Sequence, residues 1–268
     1  MAKPWLVQVR VPAKLNLDLR VGARRADGYH AVSTVMQAVA LFDVVALSDD
    51  VEHRLSVSGF AVPTGPENLA LRAAAALPQG SPVHIGLRKR IPPGAGLGGG
   101  SADAAAVLVG LNALCRLGLT DDELARIGAT LGSDVPFFIR GGRQRATGRG
   151  EILEPLPSLA PDPLVIVKPP FGVSTRDAYA WFDEIGPGGS DNDLEAAVFA
   201  HHPELAAAKA ELLAAGAPRA LMSGSGSALY AVVPSMRKAR AAARAFRERG
   251  WWATATTFFP GGVTWSAV

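Results

Sequence analysis

A glycine-rich stretch, PPGAGLGGGSADAA at residues 92–105, runs directly into alanine-rich chain that favours a helix. Glycine costs folding entropy, so a cluster of glycines indicates backbone that approaches another group closely or takes positive φ. The free N–H groups of such a loop and of the helix that follows it form a cradle for an anion. The stretch therefore predicts a phosphate-binding loop, and the alternative is a loop that only turns the chain.

Three known phosphate-binding motifs were compared with this loop. The P-loop needs a glycine–lysine pair, which the sequence lacks. Gly94, Gly96 and Gly99 match the dinucleotide-binding fingerprint literally, but residues 101–131 predict two consecutive helices instead of the required second strand. The glycine loop of protein kinases is excluded because no H-R-D or D-F-G follows. The loop therefore belongs to a different nucleotide-binding class.

Candidate catalytic side chains lie on both sides of the loop in sequence. Asp134 stands in GSDVP, a setting typical of helix starts, where an N-cap or first-turn acid is the structural alternative. Lys14 lies in the apolar strand PAKLNL, where a lysine at a sheet edge is the usual alternative, and Asn16 shares its strand face. Tyr29 and His30 follow the turn signal ADG, which predicts a loop tip and, on residue type alone, a surface pair.

Composition excludes several classes of protein. The 268 residues are 49% hydrophobic and 19% charged, so a sizeable core is expected. The single cysteine, Cys115, excludes an internal disulfide and a cysteine-rich metal site. No apolar run approaches the ~18 residues of a membrane span, which predicts a cytoplasmic protein. The net charge of +3 does not imply a nucleic-acid partner. The basic stripe of Arg237, Arg240, Arg244 and Arg247 opposes an apolar stripe, as on a solvated surface helix.

The elements predicted around these residues form two α+β domains, 1–158 and 159–268. Alternating strands precede the loop, and helices are expected from about Ser101 to Leu117 and from Thr120 or Asp121 to Gly132. Four prolines in residues 155–163 predict a linker. Beyond it, Asn192 and Glu195 have capping-box spacing, and a glycine–serine turn lies at residues 223–227.

Three segments together resemble the GHMP kinases, a family of small-molecule kinases. They are the glycine loop, VPAKLNLDLRV near the N-terminus and MSGSGSALYAV near the C-terminus. The resemblance implies a two-domain α+β fold, with a ribosomal-S5-like N-terminal domain, a ferredoxin-like C-terminal domain and the active site between them. It implies ATP as phosphoryl donor, Mg²⁺ arriving with it, and a last strand able to return to the N-terminal domain. The ATP-binding positions that it implies are Pro93, Gly94, Gly96, Leu97, Gly98, Gly99, Gly100 and Ser101.

The segments RADGYH, LGSDVPFF and ATGRGEIL are similar to those of one branch of that family. That branch phosphorylates the 2-hydroxyl of 4-diphosphocytidyl-2-C-methyl-D-erythritol in the non-mevalonate route to isoprenoids. The similarity implies that Asp134 is the catalytic acid/base, either removing the hydroxyl proton or only orienting it, with Lys14 beside it. A cation there would keep the aspartate ionised and favour the alkoxide. The substrate-binding positions that it implies are Asn16, Tyr29, His30, Tyr179, Gly224 and Ser225.

Two departures from the family pattern concern hydroxyl groups. Ala102 stands where many members have a second serine, so Ser101 is the one candidate Mg²⁺ ligand and no further protein ligand is expected. Ser223 stands where threonine is common and keeps the hydroxyl. The remaining alternatives are another GHMP kinase, acting on homoserine, mevalonate or a sugar, and a non-catalytic nucleotide-binding relative. The expected partner is a small molecule carrying cytidine diphosphate, with no nucleic acid or membrane, and the expected state is a monomer or weak homodimer.

Other charged residues near these motifs are expected to be structural. Lys89 and Arg90 are interpreted as a solvated strand end, and the alternative is a position near the adenine or the phosphates. Asp103 is interpreted as a first-turn acid that stabilises the helix dipole. Asn192 and Asp193 are interpreted as a helix cap.

Overall fold

The computed structural model describes residues 6–77 and 81–268. Its strands are β1 (Val7–Asn16), β2 (Arg20–Arg24), β3 (His30–Asp49), β4 (Arg54–Gly59), β5 (Val83–Lys89), β6 (Arg143–Thr147), β7 (Ile152–Leu156), β8 (Pro163–Lys168), β9 (Arg219–Met222), β10 (Leu229–Val232), β11 (Trp252–Thr257) and β12 (Thr264–Ala267). Its helices are α1 (Leu69–Ala75), α2 (Gly99–Leu114), α3 (Asp121–Leu131), α4 (Val135–Arg140), α5 (Thr175–Ile185), α6 (Glu195–His201), α7 (Pro203–Ala214) and α8 (Met236–Glu248).

The first sheet carries the N-terminal half of the chain. Its strand order is β12-β1-β3-β5-β4, with β2 and β6 paired to the long strand β3 and β7 paired to β6. Only β4 and β5 run parallel among these pairs in the described chain. Helix α2 packs on β1 and β3, and Gly110 permits this approach because a Cβ there would lie 2.6 Å from Leu47 Cδ1. Since α2 follows β5 directly, this packing fixes the loop between them.

The second sheet has the antiparallel strand order β11-β8-β10-β9. The chain reaches it as one strand, helices, two strands, a helix and a strand, which is the ferredoxin-like arrangement. Helix α8 covers β8 and β11 and buries its own Ala239, Ala243 and Phe246 against them. The polar face of α8 is exposed, as the stripe pattern predicts.

The two halves are packed against each other through this second sheet. One face of it, including Ile166 and Tyr230, belongs to the same apolar cluster as the first sheet. The opposite face, including Val167 and Ala231, packs under the C-terminal helices. The last strand, β12, pairs with β1 in the first sheet. The expected α+β fold is confirmed, and the boundary near residue 158 stays a prediction.

Two predicted helix ends differ from the structure. Helix α2 begins at Gly99 instead of Ser101, so Asp103 is its fifth residue and lies outside the first turn. It ends at Leu114, short of Leu117, because Arg116 takes a φ of 53° and the Asn112 side chain bonds both backbone groups of Leu119. The predicted start of α3 is confirmed, and Thr120 forms a reciprocal capping box with Glu123. Among the described helices none has the length and hydropathy needed to cross a bilayer.

Candidate active site

The predicted phosphate loop connects β5 to α2 with its backbone in an unusual conformation. Gly94, Gly96 and Gly98 have φ values of 62°, 72° and 72°, which L side chains rarely adopt. Gly98 is the N-cap of α2 and no side chain caps this end, so the first amides of α2 are available to a ligand. Ser101 follows as the third helical residue and is half-buried. Leu97 is buried in the core, so that position can offer a ligand only its backbone.

The glycine–serine turn between β9 and β10 holds the inner side of this loop. Ser227 N and Ala228 N donate to the carbonyls of Gly94 and Ala95 at 3.3 and 3.1 Å. The Ser223 hydroxyl donates to the Gly96 carbonyl at 2.9 Å. The two loops approach so closely that a Cβ on Gly96 would lie 1.9 Å from the Ser223 carbonyl oxygen. Residues of the C-terminal half thus bind the carbonyl groups of the first part of the phosphate loop, residues 94–96.

Lys14 and Asp134 come together beside the loop, as the resemblance to the family implies. Lys14 Nζ lies 3.5 Å from Asp134 Oδ2 and donates to Asn16 Oδ1. Strand β12 pairs only with Val7–Arg10, and at Lys14 the phosphate loop covers this edge of β1, because the Lys14 N–H donates to the Leu97 carbonyl at 3.2 Å. Lys14 is buried, so the alternative of a lysine on an exposed sheet edge is wrong. Asp134 is the N-cap of α4, yet its side chain makes no capping hydrogen bond and stays 33% exposed. The carboxylate is therefore accessible to a ligand and held near a buried ammonium group.

Asn16 is fixed from several sides. Its Nδ2 donates to Thr34 Oγ1 at 2.8 Å, and its backbone N–H donates to Ser223 Oγ at 3.2 Å. Gly224 borders it, since a Cβ there would lie 3.1 Å from Asn16 Oδ1 and 3.5 Å from Lys14 Nζ. Ser225, by contrast, exchanges a hydrogen bond with Thr175 at the start of α5. Strand β1, the N-terminus of α4 and the glycine–serine turn thus meet at one point.

The aromatic candidates lie on the Asp134 side of this point. Tyr179 stacks on His30 with ring centroids 5.5 Å apart. Burial, together with the negative charge of Asp134, raises the pKa of Tyr179 to about 12. His30 Nε2 faces Asp183 Oδ1 at 3.0 Å, and its Nδ1 faces the Gly22 carbonyl at 3.0 Å. His30 is therefore packed between these groups, so the expectation of a surface pair at a loop tip is wrong for His30.

Tyr29 occupies a more open position than His30. The residue is 59% exposed, and the Arg149 guanidinium lies over its ring at 5.3 Å from the centroid. Arg149 precedes Gly150, whose Cβ position would be 3.8 Å from Asp134 Oδ1. The β6–β7 turn therefore connects the Tyr29 ring with the Asp134 carboxylate. The segment ATGRGEIL contains this turn, but the contact of its Arg149 with the Tyr29 ring is visible only in the structure.

A buried ionic cluster behind the loop corrects two predictions. Lys89 is not a solvated strand end, because its ammonium is buried between Asp43 and Asp103 Oδ2, the latter at 2.8 Å. Asp43 also accepts the backbone N–H groups of Arg90 and Ile91. Asp103 is buried as well, and burial raises its pKa well above the usual range, with Asp43 adding to this and Lys89 opposing it. The cluster lies directly under α2, where a Cβ on Gly99 would be 2.8 Å from Lys89 Nζ.

Within residues 6–77 and 81–268, no group of three or more His, Cys, Asp or Glu side chains is arranged to hold a metal ion. The half-buried Ser101 hydroxyl lies at the loop's helical end, near Gly132. A single hydroxyl suits Mg²⁺ that brings phosphate and water oxygens as its other ligands. The residues present thus fit a cation carried by a polyphosphate and do not form a protein cage.

Comparison with known proteins agrees with this geometry. The GHMP kinases N terminal domain matches residues 68–142, and the GHMP kinases C terminal domain matches residues 177–250. A 4-diphosphocytidyl-2-C-methyl-D-erythritol kinase from Moorella thermoacetica is 48% identical over 88% of this chain and 93% of the relative. The kinase of the same name from Geobacter metallireducens is 40% identical over 91% of this chain and 95% of its own.

Solved structures give the same family. A crystal structure of 4-(cytidine 5'-diphospho)-2C-methyl-D-erythritol kinase superposes with a TM-score of 0.80 at 38% identity, covering 95% of this chain and 99% of the other. A homoserine kinase from Cytophaga hutchinsonii, 20% identical with a TM-score of 0.71 and 99% of both chains covered, shares the fold alone. Family domains in both halves and relatives matched over nearly their whole length lead to one assignment: this chain is a member of the GHMP kinase family and, within it, of the 4-diphosphocytidyl-2-C-methyl-D-erythritol kinases.

Proposed function

We propose that this protein transfers the γ-phosphoryl group of ATP to the 2-hydroxyl of 4-diphosphocytidyl-2-C-methyl-D-erythritol. The products are ADP and the 2-phosphate, an intermediate of the non-mevalonate isoprenoid route, formed in the cytoplasm. The observation that carries the proposal is the Asp134 carboxylate, which leaves its helix end uncapped and lies 3.5 Å from a buried lysine beside a glycine loop. Kinship with kinases named for this acceptor supports the choice of substrate.

The phosphate loop binds the triphosphate of the donor. Amides of Gly96, Gly98, Gly99 and Gly100 are the donors in this proposal, with Pro93, Gly94 and Leu97 shaping the backbone around them. Phosphoryl transfer is catalysed mainly by such positioning and charge stabilisation. Mg²⁺ bound with ATP would neutralise the developing charge, and Ser101 is the residue that would hold it.

Asp134 and Lys14 act on the acceptor hydroxyl. Asp134 accepts the hydroxyl proton as the oxygen attacks phosphorus, and a loose transition state requires little prior activation. The Lys14 ammonium, 3.5 Å from Asp134 Oδ2, stabilises the oxygen anion that forms. Asn16 holds Lys14 through its Oδ1, and Gly224 leaves room for the acceptor because it has no side chain beside this pair.

The aromatic group binds the cytidine end of the acceptor. Tyr29 offers an exposed ring on which the base stacks, and Tyr179 closes the other side. His30 binds the polar edge of the base, which would exchange its contact with Asp183, a side chain that is 42% exposed. Ser225 lies at the acceptor's diphosphate in this proposal.

ADP release with Mg-ATP measures the function directly. The 4-diphosphocytidyl-2-C-methyl-D-erythritol acceptor is compared with homoserine, mevalonate and galactose at equal concentration. We expect turnover with the first alone. Turnover only with another alcohol would support kinase activity but refute the proposed acceptor. ATP binding without turnover of any acceptor would indicate a non-catalytic relative.

The proposal includes an assembly state and an environment. We expect a monomer or weak homodimer that works without nucleic acid or membrane. Light scattering after size exclusion, over a tenfold range of concentration, measures the assembly state. A stable higher oligomer at the lowest concentration would contradict it.

A further inference from the structure

Asn192 and Glu195 have the spacing of a capping box but do not cap a helix. Helix α6 begins at Glu195 with Leu194 as its N-cap, and no side chain caps it. Asn192 and Glu195 are both buried, and both side chains are directed at the end of β9. The apparent helix-start motif therefore has another use.

Asn192 binds two carbonyl groups on either side of Ser223. Its Nδ2 donates to Met222 O and to Gly224 O, each at 2.8 Å, while its Oδ1 accepts the Leu194 N–H at 3.0 Å. Both amide hydrogens and the amide oxygen are thus used, which fixes the orientation of this side chain. A buried amide that donates to two carbonyls separated by one residue holds the local backbone direction.

Glu195 completes the arrangement from the other side of Met222. Its Oε1 accepts the Met222 N–H at 2.7 Å, and its Oε2 accepts from Lys209 Nζ and the Ser190 hydroxyl. Met222 is therefore held at its N–H by Glu195 and at its carbonyl by Asn192. We refer to Asn192 and Glu195 together as the 192/195 clamp.

The backbone held by the clamp is one step from the proposed catalytic groups. Gly224, whose carbonyl Asn192 binds, borders Lys14 Nζ and Asn16 Oδ1. Ser223, between the two clamped carbonyls, donates to Gly96 O and accepts the Asn16 N–H. A shift of residues 222–224 would therefore move the phosphate loop relative to Lys14 and Asp134.

We propose that Asn192 and Glu195 are positioning residues that set the distance between the phosphate loop and the Lys14–Asp134 pair through the backbone of residues 222–224. The proposal rests on the proposed function, because the pair and the loop are its catalytic and binding groups. Misplacement of reacting groups by about 1 Å can cost about a hundredfold in rate. The clamp thus brings the C-terminal half into the chemistry without touching the substrate.

The test compares Asn192→Asp with Asp193→Asn. The first variant keeps the side-chain shape but places an acceptor-only carboxylate against two carbonyl oxygens. The second changes the neighbouring buried residue, whose carboxylate binds Arg20 and the Val21 N–H and does not contact the turn. Turnover is expressed per ATP-binding site, well below the melting temperature of each variant. We expect kcat to fall about tenfold to a hundredfold for Asn192→Asp, with the KM for ATP changed less than about threefold, and Asp193→Asn to keep kcat.

Amide hydrogen exchange supplies a readout that needs no substrate. Asn192→Asp should speed exchange in residues 222–228 and 94–98, and Asp193→Asn should not. Wild-type kcat and exchange in Asn192→Asp would overturn the clamp, as would equal losses in the two variants. Inactive wild-type enzyme would refute the proposed function instead, while the exchange measurement would still decide the clamp.

A second pair of variants covers the case in which Asn192→Asp does not fold. Glu195→Gln places an amide N–H₂ against either the Met222 N–H or the Lys209 ammonium, so it should lower kcat and speed exchange in residues 222–228. Asn192→Ser removes the long amide without adding charge, and should reproduce the kcat loss and the faster exchange. Wild-type behaviour of Asn192→Ser would overturn the proposal in its turn.

Discussion

Asp134 occupies a helix N-cap without capping the helix. Its carboxylate is one-third exposed and lies 3.5 Å from Lys14 Nζ. Replacing it with Asn keeps the shape and removes the group that accepts a proton. We expect turnover of Asp134→Asn to fall by about 10²- to 10⁴-fold, the usual contribution of a positioned base. ATP affinity should stay within a few fold, since the amides that bind phosphate are unchanged. Single-turnover ADP formation and calorimetric ATP binding measure the two effects.

Asp122→Asn is the matched control for this variant. Asp122 is an exposed carboxylate on α3. It pairs with Arg140, the last residue of α4, the helix that Asp134 begins. Its replacement should leave turnover unchanged. Asp134 would lose its role as proton acceptor if Asp134→Asn turned over at the wild-type rate.

The exposed ring of Tyr29 should contribute to acceptor binding and little to chemistry. Stacking of a base on an aromatic ring is worth about 1–3 kcal/mol, so Tyr29→Ala should raise the KM for the acceptor about 5- to 150-fold. The KM for ATP and kcat should change little. Tyr29→Phe, which keeps the ring, should behave as the wild type. An unchanged acceptor KM in Tyr29→Ala would show that the base stacks elsewhere.

The sequence predicted only part of what the side chains near Asp134 and Lys14 do. The setting of Asp134 correctly predicted the start of a helix, but not that its side chain leaves the cap free. Residue type gave no means to find the stacking of His30 on Tyr179, because these residues are far apart in sequence and meet only after β3 and α5 pack. The resemblance to a family supplied the roles that residue types alone left open.

Helix α2 stands over a buried cluster that contains one ammonium and two carboxylates. Burial raises the pKa of Asp103, so its protonated form is favoured in the folded state. Below the unfolded pKa, near 3.8, Asp103 is protonated in both states and its contribution to the free energy of unfolding is fully present. As the pH rises toward the folded pKa, the unfolded chain ionises first and this contribution is lost. Asp103→Asn is neutral at every pH. Its free energy of unfolding, relative to the wild type, should therefore rise with pH from about 4 upward, by at most about 1.4 kcal/mol per pH unit.

Urea unfolding of both proteins at several pH values between 4 and 8, in metal-free buffer, measures this difference. Asn still accepts a hydrogen bond from Lys89, so the variant keeps one of the cluster's contacts. A difference that is flat or falls as the pH rises would mean that Asp103 is ionised in the folded protein throughout this range.

Local sequence predicted the elements better than their ends and their buried charges. Alternation predicted a strand at β1, and Thr120, one of the two N-caps expected for α3, is its N-cap. Lys89 was assigned to solvent because its partner Asp43 lies 46 positions away and only the pairing of β3 with β5 brings it near. Asn192 and Glu195 were assigned to a helix cap for the same reason, since their partners come from β9. Non-local pairing is what single-sequence patterns do not carry.

At the scale of the whole molecule, the second sheet serves two cores. Its inner face, with Leu164, Ile166 and Tyr230, is buried with the first sheet, and its outer face lies under the C-terminal helices. Strand β12 then returns to β1, so the end of the chain closes the first sheet. The phosphate loop and the glycine–serine turn add hydrogen bonds across the same boundary. The proline-rich segment near residue 158 thus marks a change of sheet, while the apolar contacts continue across it.

These contacts predict that both halves unfold together. Separating them would expose the apolar inner face of the second sheet, at about 25 cal/mol per Å² of newly exposed apolar surface, so an intermediate with one folded half is strongly disfavoured. Calorimetry should give one transition, with a calorimetric enthalpy equal to the van't Hoff enthalpy. Saturation with ATP at 100 times its dissociation constant should stabilise that one transition by about 2.7 kcal/mol. Two transitions, of which ATP moves only one, would mean that the halves are thermodynamically independent and that the shared core contributes little to their association.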